Sequence, residues 1–150
     1  MPLELFNMKY ISHSLADTEK IAEELSAKLQ PGSIITLSGK LGTGKTCFVQ
    51  MIAKQFGVNG YINSPSYTIL NQYQGRYTIY HLDFYRLDSL EQILEIGIDE
   101  IIYGQGITFI EWPELIEPIL PKNCVKVYFR YLDETSREII IKTAKDKNLS

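Results

Sequence analysis

One segment in the first third of the chain restricts the possible folds more than any other feature of the sequence. Residues 39–46 read GKLGTGKT and match the pattern G-x-x-x-x-G-K-[ST] at every fixed position. The segment follows Ile34–Ser38, a short apolar stretch rich in β-branched residues that predicts a strand. It leads into 46–56, where an apolar face predicts a helix that ends at Gly57. A glycine-rich loop between a strand and a helix is the context in which this pattern binds nucleotide phosphates.

The residue types in this loop each have a chemical reason. Glycines let the backbone curl so that successive N–H groups converge on an anion, and the dipole of the following helix adds to their effect. Lys45 is placed to reach the β- and γ-phosphates, and the Thr46 hydroxyl is a hard oxygen ligand for Mg²⁺. We therefore expect the loop to bind ATP or GTP with Mg²⁺, through Gly39, Leu41, Gly42, Thr43, Gly44, Lys45 and Thr46.

Length and charge limit the other classes of protein that this chain could represent. Its 150 residues correspond to a single domain, 1–150, and a hydrophobic content of 45% is enough to form a core. A net charge of −3 argues against charge-driven wrapping of nucleic acid, but leaves room for a small basic patch or for contact through a partner protein. Neither a signal peptide nor a membrane-spanning segment is predicted. We expect a cytoplasmic protein in which Cys47 and Cys124 stay reduced.

The rest of the chain mixes helices with hairpins. The predicted strands are Ile34–Ser38, 67–73, 77–83, Ile107–Glu111, Val125–Tyr131 and 138–143. The predicted helices run from Ser14 to Pro31, over 46–56, over 89–102 with a break near Gly97, and weakly over 114–120. This mixture predicts an α/β fold, and the hairpins make its sheet mixed rather than purely parallel. The expected fold class is a three-layer sandwich like that of P-loop NTPases, with a mixed, mostly parallel central sheet.

Two of the predicted strands end in a carboxylate. Asp83 ends the apolar segment TIYHLD, and Glu111 ends the segment ITFIE. Phosphoryl transfer needs an acid that holds Mg²⁺ and a group that positions the nucleophile, and an apolar strand ending in an acid is typical of such a site. Both acids would lie at the carboxyl end of the sheet, beside the phosphate loop. The pattern does not say which of them touches the metal, so both remain catalytic candidates together with Lys45.

Three side chains near these acids have a functional and a structural interpretation. His81 points the same way as Asp83 by the strand period of two, and either orients a reacting group or packs in the strand. Trp112 follows Glu111 directly, and either lies over the site or fills the core. Arg86 either stabilises charge at the site or forms a surface salt bridge.

Three further segments follow the phosphate loop in an order that resembles one family. They are SPSYT at 64–68, HLDFYRL at 81–87 and EWPE at 111–114. With the loop, they resemble the bacterial tRNA threonylcarbamoyladenosine biosynthesis protein TsaE family over nearly the whole chain. The resemblance implies a small P-loop ATPase, weak when alone. It would work with the TsaD and TsaB proteins, which put a threonylcarbamoyl group on adenosine next to the anticodon, and would meet tRNA only through that complex.

The resemblance also implies roles for individual residues. Thr46 and Glu111 would ligate Mg²⁺, and Asp83 would be the acid at the γ-phosphate. The segment 64–68 would act as a switch-like loop that senses the nucleotide. Outside the phosphate loop, the residues implied to contact ATP are Ile11, Ser64, Ser66 and Trp112.

Two other functions would use the same phosphate loop. In a small-molecule kinase, Asp83 would accept a proton from a substrate hydroxyl, but a kinase usually needs a lid with several arginines. The four arginines of this chain are scattered along it, at Arg76, Arg86, Arg130 and Arg137. A non-catalytic nucleotide sensor would only bind and dock, whereas the intact Lys45, Asp83 and Glu111 favour hydrolysis. No N-K-x-D tetrad follows the loop, which favours ATP over GTP.

Overall fold

The computed structural model describes residues 4–59 and 69–145. The strands in this part of the chain are β1 (Glu4–Ser12), β2 (Ile34–Ser38), β3 (Leu70–Gln74), β4 (Thr78–Asp83), β5 (Ile107–Glu111), β6 (Val125–Tyr131) and β7 (Arg137–Lys145). The α-helices are α1 (Leu15–Ser26), α2 (Lys45–Gln55), α3 (Leu90–Leu94) and α4 (Ile98–Ile102), and a 3₁₀ turn covers Glu117–Ile119.

The strands form one mixed sheet in the order β1-β7-β6-β2-β5-β4-β3. Its centre is parallel, because β2 pairs in parallel with β6 and β5, and β5 pairs in parallel with β4. The flanks are antiparallel: β3 pairs with β4, and β7 pairs with both β6 and β1. Since β1 runs in the same direction as the four central strands, the sheet is mostly parallel, as the sequence predicts.

Each face of this sheet has its own apolar cluster. Ile35 and Leu37 of β2 belong to the cluster that contains the buried residues of α1 and α2. Ile34 belongs to a second cluster, with residues of α3 and α4. Because alternate residues of a strand point to opposite faces, the two clusters lie on opposite sides of the sheet. Helix α2, which follows the phosphate loop, therefore packs on the face of the sheet opposite to the one covered by α3 and α4.

Side-chain caps fix the starts of two helices as predicted. The hydroxyl of Ser14 accepts a hydrogen bond from Asp17 N–H at the start of α1. Ser89 and Gln92 form a capping box at α3, and Gly97, with φ of 82°, separates α3 from α4. The longest described helix has 12 residues. Within the described part of the chain, no helix combines the length and the apolar character needed to cross a membrane.

The structure corrects two of the predicted elements and adds strand β1, which was not predicted. The helix predicted over 114–120 is wrong, since only the 3₁₀ turn Glu117–Ile119 forms there, and Pro118 within it has no N–H to donate. Helix α1 ends at Ser26, before Pro31. The first residues of the predicted strand 67–73 lie outside the described residues, and β3 begins at Leu70.

Candidate functional site

The phosphate loop lies at the carboxyl end of the central strand, next to both acidic strand ends. Leu37 of β2 is the register partner of Glu111 in β5, and Glu111 is in turn the partner of Asp83 in β4. The loop leaves β2 one residue later, so the two carboxylates and residues 39–46 share one edge of the sheet. The carboxyl end of a parallel sheet is where α/β folds bind ligands.

Glycine is required at two positions of the loop. Gly39 has φ of 148° and Gly44 has φ of 105°, both in the region that residues with a Cβ rarely adopt. A Cβ on Gly39 would lie 2.7 Å from the carbonyl oxygen of Phe129. A Cβ on Gly44 would overlap the guanidinium of Arg137. The backbone therefore curls closely against the neighbouring strands, as a phosphate-binding loop requires.

Donors within the loop hold two of its carbonyl groups. Lys45 Nζ donates to Gly39 O at 2.7 Å, and Thr43 Oγ1 donates to Lys40 O at 2.8 Å. Because N–H and C=O of one planar trans peptide point in opposite directions, carbonyls fixed in this way also fix the direction of the following amides. The loop has the form of an anion-binding nest at the N-terminus of α2.

Glu111 is the most tightly held acid at this edge. It is only 4% exposed. Its Oε2 accepts a hydrogen bond from Thr46 Oγ1 at 2.9 Å and lies 2.6 Å from Nε2 of His81. His81 is fully buried, and its Nδ1 has no hydrogen-bond partner among the described residues. Nε2 is therefore the ring nitrogen that holds the carboxylate, and the packing of β4 holds the ring.

The pair Thr46 and Glu111 fits Mg²⁺. Hydroxyl and carboxylate oxygens are the hard ligands that this ion takes, and in phosphate sites it usually uses one or two protein oxygens together with water and phosphate oxygens. Among the described residues there is no cluster of three or more His, Cys, Asp or Glu that could form a complete protein cage. The donor set suits a metal that arrives with a nucleotide.

Asp83 stands beside Glu111 in a different environment. It is half-buried, and its Oδ1 accepts a hydrogen bond from Tyr85 N–H at 2.9 Å. Burial has the largest effect and raises the pKa of the Asp83 carboxyl. The Tyr85 N–H comes next and lowers this pKa, the charge of Glu111 raises it, and His81 and Lys45 lower it by less. A carboxylate with a raised pKa is suited to accepting a proton or orienting water.

Lys45 of the phosphate loop is in contact with Trp112, which follows β5. Lys45 Nζ lies 3.6 Å from the centroid of the Trp112 ring, in a cation–π contact. Burial lowers the pKa of Lys45, against the opposing charges of Glu111 and Asp83. Trp112 has φ of 56°, unusual for a residue with a side chain, and its ring is 4.8 Å from that of Tyr85. The strained turn after β5 thus directs the indole toward the phosphate loop rather than into the core.

Comparisons with known proteins agree with one another. The model of the family "Threonylcarbamoyl adenosine biosynthesis protein TsaE" matches residues 12–139. The chain belongs to the TsaE family. It is 41% identical over 134 residues to the tRNA threonylcarbamoyladenosine biosynthesis protein TsaE of Treponema pallidum, a match that covers 89% of this chain and 99% of that one. The TsaE protein of Bacillus subtilis is 35% identical over 133 residues, which cover 88% of this chain and 83% of that protein.

A solved structure has the same fold. The crystal structure of Bacillus subtilis YdiB superposes with a TM-score of 0.79 at 30% sequence identity, and the match covers 93% of this chain and 87% of that chain. Membership of the TsaE family, inferred above from four sequence segments, is confirmed by the family model and by the relatives.

Of the other residues predicted to contact the nucleotide, Ile11 and Leu41 lie in the described part of the chain. Ile11 is in β1, is 44% exposed, and pairs with Glu138 of β7. Leu41 is 64% exposed at the tip of the loop. Ser64 and Ser66 lie outside the described residues. Ile11 and Leu41 are both exposed apolar side chains, and their contact with a nucleotide, like that of the two serines, stays a prediction.

Two residues that contact the loop were not predicted from the sequence as site residues. Tyr131 OH donates to Gly42 O, and Arg137 Nη1 donates to Thr43 O at 2.7 Å. No motif marks them, because a donor to a backbone carbonyl needs no particular spacing. The other arginines have other surroundings: Arg76 lies over aromatic rings of Phe56 and Tyr77, Arg130 pairs with Glu138, and Arg86 is exposed.

Proposed function

We propose that this protein is the ATP-binding and ATP-hydrolysing component of the bacterial machinery that makes N6-threonylcarbamoyladenosine at position 37 of tRNAs. It would support the turnover of a TsaD–TsaB complex in the cytoplasm and would meet tRNA only through that complex. The observation that carries the proposal is the hydrogen bond between Thr46 of the phosphate loop and Glu111 of β5. Membership of the TsaE family supports the pathway, and the two helix-bearing faces of the sheet support a three-layer P-loop NTPase fold.

Binding would use the loop and the acid together. The loop amides and Lys45 would hold the phosphates, and Thr46 and Glu111 would hold Mg²⁺. When bound, the ion would neutralise part of the phosphate charge. Trp112, already in contact with the Lys45 ammonium, would lie beside the phosphates.

Hydrolysis would depend on Asp83. Its half-buried carboxylate has a raised pKa and stands next to Glu111 without sharing its hydrogen bonds to Thr46 and His81. It is therefore available to orient the attacking water and accept its proton. The TsaE resemblance implies slow hydrolysis by the isolated protein, with acceleration in the complex.

The lone tryptophan provides a direct test of binding. We expect MgATP to change the fluorescence of Trp112, because phosphates would replace or reorient the Lys45 ammonium over its ring. Lys45→Ala should abolish the change, while Lys54→Ala, which removes an exposed lysine from the last turn of α2, should leave it intact. If MgATP does not change the fluorescence of the wild-type protein, the placement of Trp112 at the nucleotide is wrong.

A second experiment tests the assignment to tRNA modification. Phosphate release and formation of the modified nucleoside are measured with TsaD and TsaB present and absent. We expect both to require the complete set of proteins. Transfer of phosphate to a small molecule would instead support the kinase alternative, and binding without hydrolysis in any mixture would support a nucleotide sensor.

A further inference from the structure

The end of the β6–β7 hairpin touches the outer side of the phosphate loop. Tyr131, the last residue of β6, and Arg137, the first residue of β7, are register partners across the hairpin. The Tyr131 hydroxyl donates to Gly42 O, and the Arg137 guanidinium donates to Thr43 O at 2.7 Å. Two adjacent donors of one hairpin thus hold two consecutive carbonyls of the loop.

The Arg137 contact controls an amide that faces the ligand. The carbonyl of Thr43 and the N–H of Gly44 belong to the same peptide, and they point in opposite directions. Holding that carbonyl toward Arg137 therefore directs the Gly44 N–H into the nest. Gly44 has no room for a side chain on this side because the guanidinium fills the space, so the contact is close and specific.

Glu138, the neighbour of Arg137 on β7, forms its ion pairs with other cations. Glu138 is buried and is paired with Lys9 at 3.1 Å and with Arg130 at 3.2 Å. These two cations hold the pKa of Glu138 below its usual range, Lys9 having the larger effect. Arg137, which is half-buried, instead directs its charge to the loop, where it would favour an anion.

The turn that joins the two strands is itself well braced. Asp133 Oδ1 accepts hydrogen bonds from Thr135 N–H at 3.0 Å and from Ser136 N–H at 2.8 Å. Ser136 Oγ lies 2.8 Å from Nδ1 of His13, just before α1. The turn between the two donors is therefore held by its own hydrogen bonds and by a contact with the segment just before α1.

We propose that Tyr131 and Arg137 are positioning residues that hold the phosphate loop in its ligand-ready conformation before nucleotide arrives. The proposal rests on the proposed function, in that the ligand is a nucleotide phosphate at residues 39–46. A loop shaped in advance loses less conformational entropy on binding, so its affinity is higher than that of a loop that must be ordered by the ligand. The residues act through the backbone and need not touch the phosphate.

Matched variants separate this role from charge and from folding. Arg137→Met removes both donor and charge, Arg137→Lys keeps the charge, and Tyr131→Phe removes only the hydroxyl. Arg130→Gln removes one positive charge from the same hairpin at a side chain that pairs with Glu138 instead of the loop. Tyr128→Phe removes a hydroxyl from the same strand. Thermal unfolding identifies any variant that fails to fold.

Affinity is measured for MgATP and for inorganic pyrophosphate, which has no base. We expect Arg137→Met to weaken both on the order of ten-fold, the usual size for loss of one hydrogen bond to a charged donor. Arg137→Lys should recover part of this loss, Tyr131→Phe should lose about three-fold, and the two control variants should stay within about two-fold of wild type. Wild-type affinity in both Arg137→Met and Tyr131→Phe would overturn the proposal.

Hydrogen exchange of the nucleotide-free protein provides a readout that does not depend on binding. We expect faster exchange in 39–46 in Arg137→Met and Tyr131→Phe, with β2 and β5 unchanged. Equal exchange in the loop of variant and wild type, or faster exchange throughout the sheet, would contradict a positioning role. If the wild-type protein binds no MgATP or pyrophosphate, the proposed function fails, and the exchange data still decide whether the hairpin orders the loop.

Discussion

Strands β4 and β5 lie side by side and each ends in a carboxylate, but the two carboxylates have different environments. Glu111 at the end of β5 is buried and bonded to Thr46 and close to His81. Asp83 at the end of β4 is half-buried, is bonded to a backbone N–H, and has a raised pKa. The same sequence pattern, an apolar strand that ends in an acid, has produced one acid fixed by side-chain contacts and one acid with a raised pKa.

The difference follows from position in the sheet. β5 pairs with the central strand β2, so its last residue lies directly beside the start of the phosphate loop and of α2. β4 is one strand farther out, and its last residue faces Tyr85 and the segment after the strand. This difference in position is consistent with the proposed roles, in which Glu111 would hold the metal and Asp83 would act on water.

The largest expected effect tests the Glu111 side of this division. Glu111→Gln removes the negative charge beside Thr46, so ATP hydrolysis should fall by about a hundred-fold or more and the Mg²⁺ dependence of ATP binding should weaken. Steady-state hydrolysis and Trp112 fluorescence against Mg²⁺ concentration measure the two effects. Glu117→Gln, an exposed change of the same type, is the control. Unchanged Mg²⁺ dependence in Glu111→Gln would remove this acid from the metal site.

The second effect concerns Asp83 and should be confined to the rate. Asp83→Asn keeps the size of the side chain but cannot accept a proton, so we expect kcat to fall about a hundred-fold. The Kd for MgATP should change by no more than about three-fold, since this residue does not contact Thr46. Asp88→Asn is the matched exposed control. A loss of affinity as large as that of Glu111→Gln would erase the distinction between the two acids.

A smaller effect is expected at His81, which supports Glu111. Loss of such a supporting partner typically weakens metal binding ten-fold or more, so His81→Ala should raise the Mg²⁺ concentration needed for the Trp112 response about ten-fold. His81→Gln, whose amide nitrogen can take the place of Nε2, should restore most of the affinity. His81→Asn, whose amide falls nearer the position of Nδ1, should not. Equal loss in all three variants would indicate that the ring serves only to fill space.

The smallest effect is on stability and tests the raised pKa of Asp83. For an acid with a raised folded-state pKa, the stabilising contribution is present below its unfolded pKa and is lost as pH rises through the folded one. Without divalent cations, Asp83→Asn should therefore unfold at a temperature about 1–3 °C above wild type at pH 7. The difference should shrink as the pH falls toward about 4. A variant less stable than wild type at pH 7 contradicts the direction of this shift.

Local patterns predicted the elements that place the site. Ile34–Ser38, Ile107–Glu111 and Val125–Tyr131 have the predicted bounds, because runs of β-branched and aromatic residues in buried strands give a strong signal. The sequence of strand β1 gives only a weak strand signal. It is an edge strand, with Met8 39% exposed and Ile11 44% exposed, and its pairing with β7 joins distant parts of the chain. Tertiary pairing of this kind decides strand formation where local pattern is weak.

The residues of the site also differ in how well the sequence predicts them. Lys45, Thr46 and the two acids belong to segments whose chemistry requires fixed residue types, so the sequence indicates them. The strand pattern alone left the roles of Glu111 and Asp83 open, and only the family resemblance implied separate ones, because the environment of each acid depends on strand order. Nor could it decide between the two interpretations of His81, which is fully buried and lies 2.6 Å from Glu111. Tyr131 and Arg137 remained invisible, since their targets are backbone carbonyls about 90 residues earlier.

The hairpin that touches the phosphate loop also bears on how the protein is made. A ribosome synthesises the loop early, but Arg137 follows it by 94 residues along the chain. During translation the loop therefore exists for several seconds, at typical elongation rates, before its last contact can form. A nascent chain that stops before β7 would lack the Arg137 contact with the loop. Tight nucleotide binding would then be expected only of chains in which β7 has joined the sheet.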